Sequence, residues 1–402
     1  MSSHPAAVVR PPAPPGPVRW LKKNLFSPWY NTVLTVLAAT FLFFVLKGVF
    51  TWVCFRANWT PVTHSLRLFA AGQYPPEQLW RVGIILWMIS FLFGLSGRVW
   101  RGTFMVFARG LAIALGALAL IPLNLSLLGI GARLWLLANP ALVFVGYHVG
   151  HTRVGKGRWV LLGWGLSFVL MILLLTGLPA IPWLPPVESG LWGGLLLTFL
   201  LAVVGIAASF PIGVLLALGR RSTLPVVKGF CIVFIETIRG VPLVTILFMF
   251  SIILPLFLPE NVRVDRVLRA MMAMTVFASA YMAENVRGGL QAIPRGQIEA
   301  AKALGLNGFQ TTLLIVLPQA LRMVIPAIVG QFIALFMDTT LAYIVGLTEL
   351  LTVARAVLQS NSEWLLLDME VFLFIAAIFW VFTYSMSYAS RRLEMALGVG
   401  KR

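Results

Sequence analysis

The stretch "GQIEAAKALGLNGFQTTLLIVLPQA", Gly296–Ala320, is polar in its first half and apolar in its second. Its opening carries Gln297, Glu299 and Lys302 among Ala and Leu, all strong helix formers. Gly305 follows after about two turns, where a helix end favours a residue that tolerates the left-handed conformation. The chain resumes after Asn307-Gly308, and Pro318 is positioned to open the next apolar segment. The pattern predicts two short helices with a bend between them. Ala300 and Ala301 would keep one surface low enough for another protein to seat closely. Ile298, Leu304, Leu306 and Phe309 would supply apolar contact, and Glu299 and Lys302 charge. An amphipathic loop lying on a membrane surface would share this composition.

The rest of the chain fixes the solvent around that stretch. Of 402 residues, 59% are hydrophobic and 11% charged, against about 25% charged in soluble domains. Apolar segments fall near 31–54, 79–97, 104–122, 132–150, 159–178, 191–218, 231–258, 267–288, 320–345 and 366–388. Most approach the ~20 residues that cross a bilayer as a helix, so the expected fold is an all-α polytopic membrane protein of about ten spans. The fourth segment is the weakest, because Asn139-Pro140 interrupts it.

The net charge of +18 does not point to nucleic acid. The basic residues gather in small groups at segment ends, whereas phosphate tracking needs a continuous basic surface. With an N-terminal tail (Arg10, Arg19, Lys22, Lys23) inside, ten crossings return the C-terminus to the cytoplasm. Inside loops then hold Arg98/Arg101, Arg153/Lys156/Arg158, Arg220/Arg221/Lys228, Arg295/Lys302 and the tail Arg391/Arg392/Lys401/Arg402. Glu188, Glu260/Asp265 and the stretch Glu349 to Glu370 fall outside, as the positive-inside rule requires. Arg56, Arg67, Arg263 and Arg266 are outside exceptions. Residues 1–28, Pro-rich and basic, read as a disordered cytoplasmic tail. The Pro-rich stretch 176–194, with Pro182, Pro185 and Pro186, reads as an extracytoplasmic linker. It divides an N-terminal extension of about five spans (29–185) from a five-span C-terminal unit (186–396).

The residues offer no chemistry of their own. "GHTRVGKG" has phosphate-loop spacing through Gly150, Gly155 and Lys156, but Gly157 stands where a magnesium-holding hydroxyl is required. His148 and His151 lie at i, i+3 beside Arg153 at a membrane edge, and no metal-ligand spacing surrounds them. Cys54 and Cys231 form no zinc or redox pair. No nucleophile has a base at readable spacing, so the sequence carries no catalytic or metal site and no cofactor. Charged residues inside spans cost about 2.5–3.5 kcal/mol each on insertion scales and need partners. Glu236 and Arg239 are one helical turn apart, as are Glu284 and Arg287, and each couple is expected to pair. Asp338, with Thr339 and Thr340, lies deeper and is the best candidate for a translocation path; a polar helix–helix contact is the alternative.

Glu299-Ala300-Ala301, three residues, Gly305, nine residues, Ile315, one residue, Leu317-Pro318: this resembles the EAA loop of ABC importer permeases at every position. "ETIRGVPL" (Glu236–Leu243), "AYMAENVRGGL" (Ala280–Leu290) and "LPQALRMVIPAIVGQFIALFMDTTL" (Leu317–Leu341) are similar to the polar amino-acid branch of those permeases. "RWLKKNLFSPWYNTVLT" and the extra spans resemble the longer general L-amino-acid subunits. The resemblance covers roughly residues 186–396. It implies a type I five-helix permease core in a bacterial inner membrane and transport of L-amino acids. The implied partners are separate ATPase subunits using ATP and magnesium, a second permease subunit or copy, an extracytoplasmic amino-acid-binding protein and membrane lipid. It also implies that the loop at about 289–319 couples to the ATPase, through Glu299, Ala300, Ala301, Gly305 and Pro318. The family pattern KDTSL becomes Met337-Asp338-Thr339-Thr340-Leu341 here, which removes a cation from the expected solute site. An ion-coupled secondary transporter is the competing function, with coupling carboxylates in its own spans; a membrane-embedded enzyme or assembly scaffold is a third.

Overall fold

A computed structural model describes residues 16–120, 130–152 and 155–398. Most of the expected tail lies outside the described residues, as do Arg153, Lys401 and Arg402. The chain divides into two units, residues 1–59 and 60–402. The first holds α1 (Pro17–Leu25) and α2 (Trp29–Phe55). Residues 17–25, expected as disordered tail, are helical instead. Pro17 at the first turn supplies the helical φ without an N–H to satisfy, and Lys22 and Lys23 sit where the helix dipole favours cations. The 27 residues of α2 bury none of their apolar side chains within the chain, as a lipid-facing span requires.

The second unit begins with short helices α3 (Thr60–His64) and α4 (Leu66–Ala71). Four spans follow: α5 (Leu79–Val99), α6 (Thr103–Leu120), α7 (Ile130–Val149) and α8 (Gly157–Thr176). Small residues let α5 and α7 approach closely, since a Cβ on Gly94 would collide with the Val143 carbonyl oxygen. Pro140 does not break α7. The proline has no N–H for the Leu136 carbonyl, and the Asn139 side chain donates to that carbonyl at 3.1 Å instead. Asn139 is itself fixed by Ser90 at 2.8 Å.

After the 177–193 segment come α9 (Gly194–Arg220), α10 (Pro225–Gly240), α11 (Leu243–Phe248), α12 (Leu254–Phe257) and α13 (Arg266–Gln291). The expected seventh span is not one rod. α10 meets the α11–α12 rod at 108°, because Val241-Pro242 cannot continue the helix. A π turn, Met249–Ile253, joins α11 to α12. α13 is the centre of the unit: its alanines (Ala270, Ala273, Ala278, Ala280, Ala283) are fully buried, and α9, α10, α11 and the later α16 (Leu317–Asp338) all pack on it.

The remaining elements are α14 (Arg295–Ala303), α15 (Gly308–Gln310), α17 (Leu350–Gln359) and α18 (Asp368–Leu397). No strand occurs among the described residues, only two isolated bridges. Among the described residues, seven helices are long and apolar enough to span a membrane, and the bent pair makes eight. α6 and α13 complete about ten: α6 is short, and the charged residues of α13 mask its length.

Candidate functional site

The polar stretch 294–319 forms a knuckle at one end of the second unit. α14 ends at Ala303, and Gly305 takes φ +82°, the left-handed turn that reverses the chain. Asn307 accepts from the Gln310 backbone at 2.8 Å, and the Gln310 side chain accepts from Asn307 N at 3.0 Å. This reciprocal capping box restarts the helix at once.

Two expectations for this segment are corrected. The second helix is not a separate short piece, and Pro318, in the first turn of α16, follows a π turn rather than a break in the chain. One helical rod runs from Gly308 to Val345, with a π turn at Thr311–Val316 immediately before Pro318. The proline ring cannot sit against a regular turn, and the wider π turn makes room for it. Ala301 does not face outward, being only 3% exposed. The exposed face of the knuckle is Glu299, Ala300, Lys302, Leu304 and Phe309. Leu304 is 82% and Phe309 74% exposed, two large apolar side chains flanking the left-handed turn.

Behind the knuckle lies a charge cluster spread over three helices. Glu284 and Arg287 on α13 make a bidentate pair, with Arg287 Nε 2.9 Å from Oε2. Glu236 does not pair with Arg239. It faces Arg220 of α9 at 2.8 Å, while Arg239 lies 3.6 Å from Glu284, and Arg220 also approaches Glu284 at 3.8 Å. One-turn spacing permits the local couple, but packing of α10 across the junction of α9 and α13 brings closer partners.

At the other end of α16, Asp338 is half-buried and heads a 3-10 segment, Thr339–Val345. Thr339 is fully buried, its hydroxyl donating to the Phe336 carbonyl at 2.7 Å; Thr340 donates to that of Met337 at 2.9 Å. Met337 is exposed.

Residues 209–398 match the family described as binding-protein-dependent transport system inner membrane component. The chain is 35% identical to the inner membrane amino-acid ABC transporter permease protein YhdY of Escherichia coli, over 95% of this chain and 93% of that one. It is 38% identical to the glutamate/glutamine/aspartate/asparagine transport system permease protein BztC of Rhodobacter capsulatus, over 95% and 94%. The chain belongs to the amino-acid ABC transporter permeases. A shorter relative, the probable glutamine ABC transporter permease protein GlnP of Bacillus subtilis, is 38% identical over 51% of this permease and 92% of its own length. The permease is a multi-pass inner-membrane transport protein and not itself an enzyme.

Several structurally important residues of the permease gave little signal in the sequence. Arg81, fully buried, donates to the carbonyls of Pro185 at 2.8 Å and Leu174 at 3.3 Å. Tyr74 donates to Leu175 at 3.1 Å. The 177–193 segment is therefore tied down rather than a free linker, with Val187 N on the Thr176 carbonyl at 2.8 Å. Glu349, fully buried, caps α17 by accepting from Leu351 and Thr352 backbone N–H groups at 2.8 Å each. Only the Asn307…Gln310 spacing could have been read in advance, as a capping box.

Proposed function

We propose that this permease imports L-amino acids driven by ATP hydrolysis on separate ATPase subunits, with ATP and magnesium bound there, and that the knuckle is the coupling element. The observation that carries the reading is the exposure of Leu304 and Phe309 beside a left-handed Gly305 on a rod continuous with a span. Large apolar side chains standing free at a polar loop suit a groove on another protein, where buried apolar anchors dominate binding. Glu299 and Lys302 would fix its orientation, Ala300 would allow close seating, and Ala301 would act from beneath, as a small residue under α14. Gly305 supplies the turn, and Pro318 the π turn through which a push reaches α16. On this reading the knuckle, both termini and the basic loops are cytoplasmic. A second permease subunit completes the path, an extracytoplasmic binding protein delivers solute, and Asp338 and its threonine neighbours line the route.

The test is uptake of a labelled amino-acid panel by a deletion strain with and without this gene, together with photo-crosslinkers at positions 304 and 309. Nucleotide-dependent uptake and a crosslinked ATPase are expected. Uptake that continues without nucleotide, or crosslinks to lipid alone, would overturn the reading.

A further inference from the structure

Arg269 stands one turn inside α13 from its N-cap Asp265, at the end of the bundle opposite the knuckle. The three arginines of the charge cluster all have glutamates. Arg269 has no carboxylate among the described residues. Its Nη1 donates to the backbone carbonyl of Ser251, within the π turn Met249–Ile253. Its Nε is buried without an acceptor, and so is the Ser251 hydroxyl. A guanidinium has five N–H donors in a planar fork, so one carbonyl leaves most of them unused.

The side chain is half-buried rather than sealed, and Met272 and Val276 continue the same accessible face along α13. A π turn interrupting a helix is uncommon and concentrates at functional sites. A cation within a transmembrane helix is costly and is by default a functional-site candidate. Asp338 heads the 3-10 segment that packs against α11, the helix leading into the π turn. Charges of both signs at one end suit a zwitterion.

Building on the reading of this chain as an amino-acid importer, we propose that Arg269, aimed by the Ser251 carbonyl of the π turn, is the recognition site for the carboxylate of the incoming solute. A planar fork binds a carboxylate through two parallel bonds, which an amide or a bare amine cannot reproduce.

The experiment uses the purified full-length permease with its co-purifying subunits, binding L-glutamine and, separately, the α-amide of L-glutamine. Wild-type protein should prefer the acid by about tenfold or more, the discrimination of a charge-assisted bidentate contact. Arg269→Gln should weaken the acid about tenfold and leave the amide within about twofold, and Arg269→Lys should restore part of the preference. Equal weakening of acid and amide would show that Arg269 only braces the π turn, and would overturn the proposal. An unchanged ratio in Arg269→Gln would do the same and would fit a guanidinium held by lipid phosphate; absence of L-glutamine binding by wild type would also overturn it. The readout is binding alone, so its failure is separable from failure of ATP-driven uptake.

Discussion

At the residue scale, Gly305 and Glu349 are each held in a state few side chains would accept. Gly305 sits at φ +82° with open space around its Cβ position, so the obstacle to substitution is backbone strain and not crowding. A β-branched residue is poorly tolerated there. Gly305→Val should therefore lower uptake at least about tenfold while protein levels hold, because about 1–3 kcal/mol of strain falls on the turn and not on the core. Uptake assays alongside membrane quantification decide it. Burial pushes the Glu349 carboxyl above its usual range, outweighing the hydrogen bonds from Leu351 and Thr352 that favour its charge. A carboxyl that holds its proton more tightly when folded stabilises the fold below the unfolded value of about 4.3, and that contribution is lost as pH rises through the folded value. As pH rises above the unfolded value, the thermal midpoint should fall less steeply in Glu349→Gln than in wild type. Gly305 was legible because a glycine after a short polar helix has one common use. Glu349 was not, because its environment comes from the Gly194 and Thr198 region, some 150 residues away.

At the scale of elements, the charge cluster and the proline breaks show how neighbours redirect a local rule. Glu284 lies near three arginines and is 24% exposed, whereas Glu236 is 53% exposed and pairs with Arg220. Glu284→Gln should destabilise the protein by about 2 kcal/mol, since it strands arginines that are partly desolvated. Glu236→Gln should cost less than about 1 kcal/mol, as half-exposed pairs do. Denaturation midpoints of both variants in the same detergent make the comparison. Spacing found the Glu284–Arg287 couple because both ends lie on one helix. It missed Arg220–Glu236 because helix packing sets that distance. Prolines acted in the same way: Pro140 is absorbed by the Asn139 side chain, Pro318 by a π turn, and only Val241-Pro242 produces a sharp bend.

At the scale of the whole molecule, residues 60–402 form one contact unit, and Arg81 is one reason. Its guanidinium joins the start of α5 to the end of α8 and to Pro185 of the intervening segment. Arg81→Met should lose about 3 kcal/mol, two hydrogen bonds from a charged donor with two carbonyls left behind. Limited proteolysis should then cut within 177–193 in the variant and spare wild type. Composition and apolar run length alone settled that this is a polytopic helical membrane protein, since crossing a bilayer demands about 20 apolar residues whatever the packing. The spacing of the knuckle motif settled which transport family it resembles, because a capped helix, a left-handed glycine and a proline are local backbone requirements. The tertiary structure decided what depends on separated segments meeting: the partners of Glu236 and Arg239, the burial of Ala301, the fastening of the linker, and the seating of Arg269 on the carbonyl of a π turn. Local backbone energetics follow the order of residues along the chain, but charge pairing and burial depend on distances that only the packed helices define.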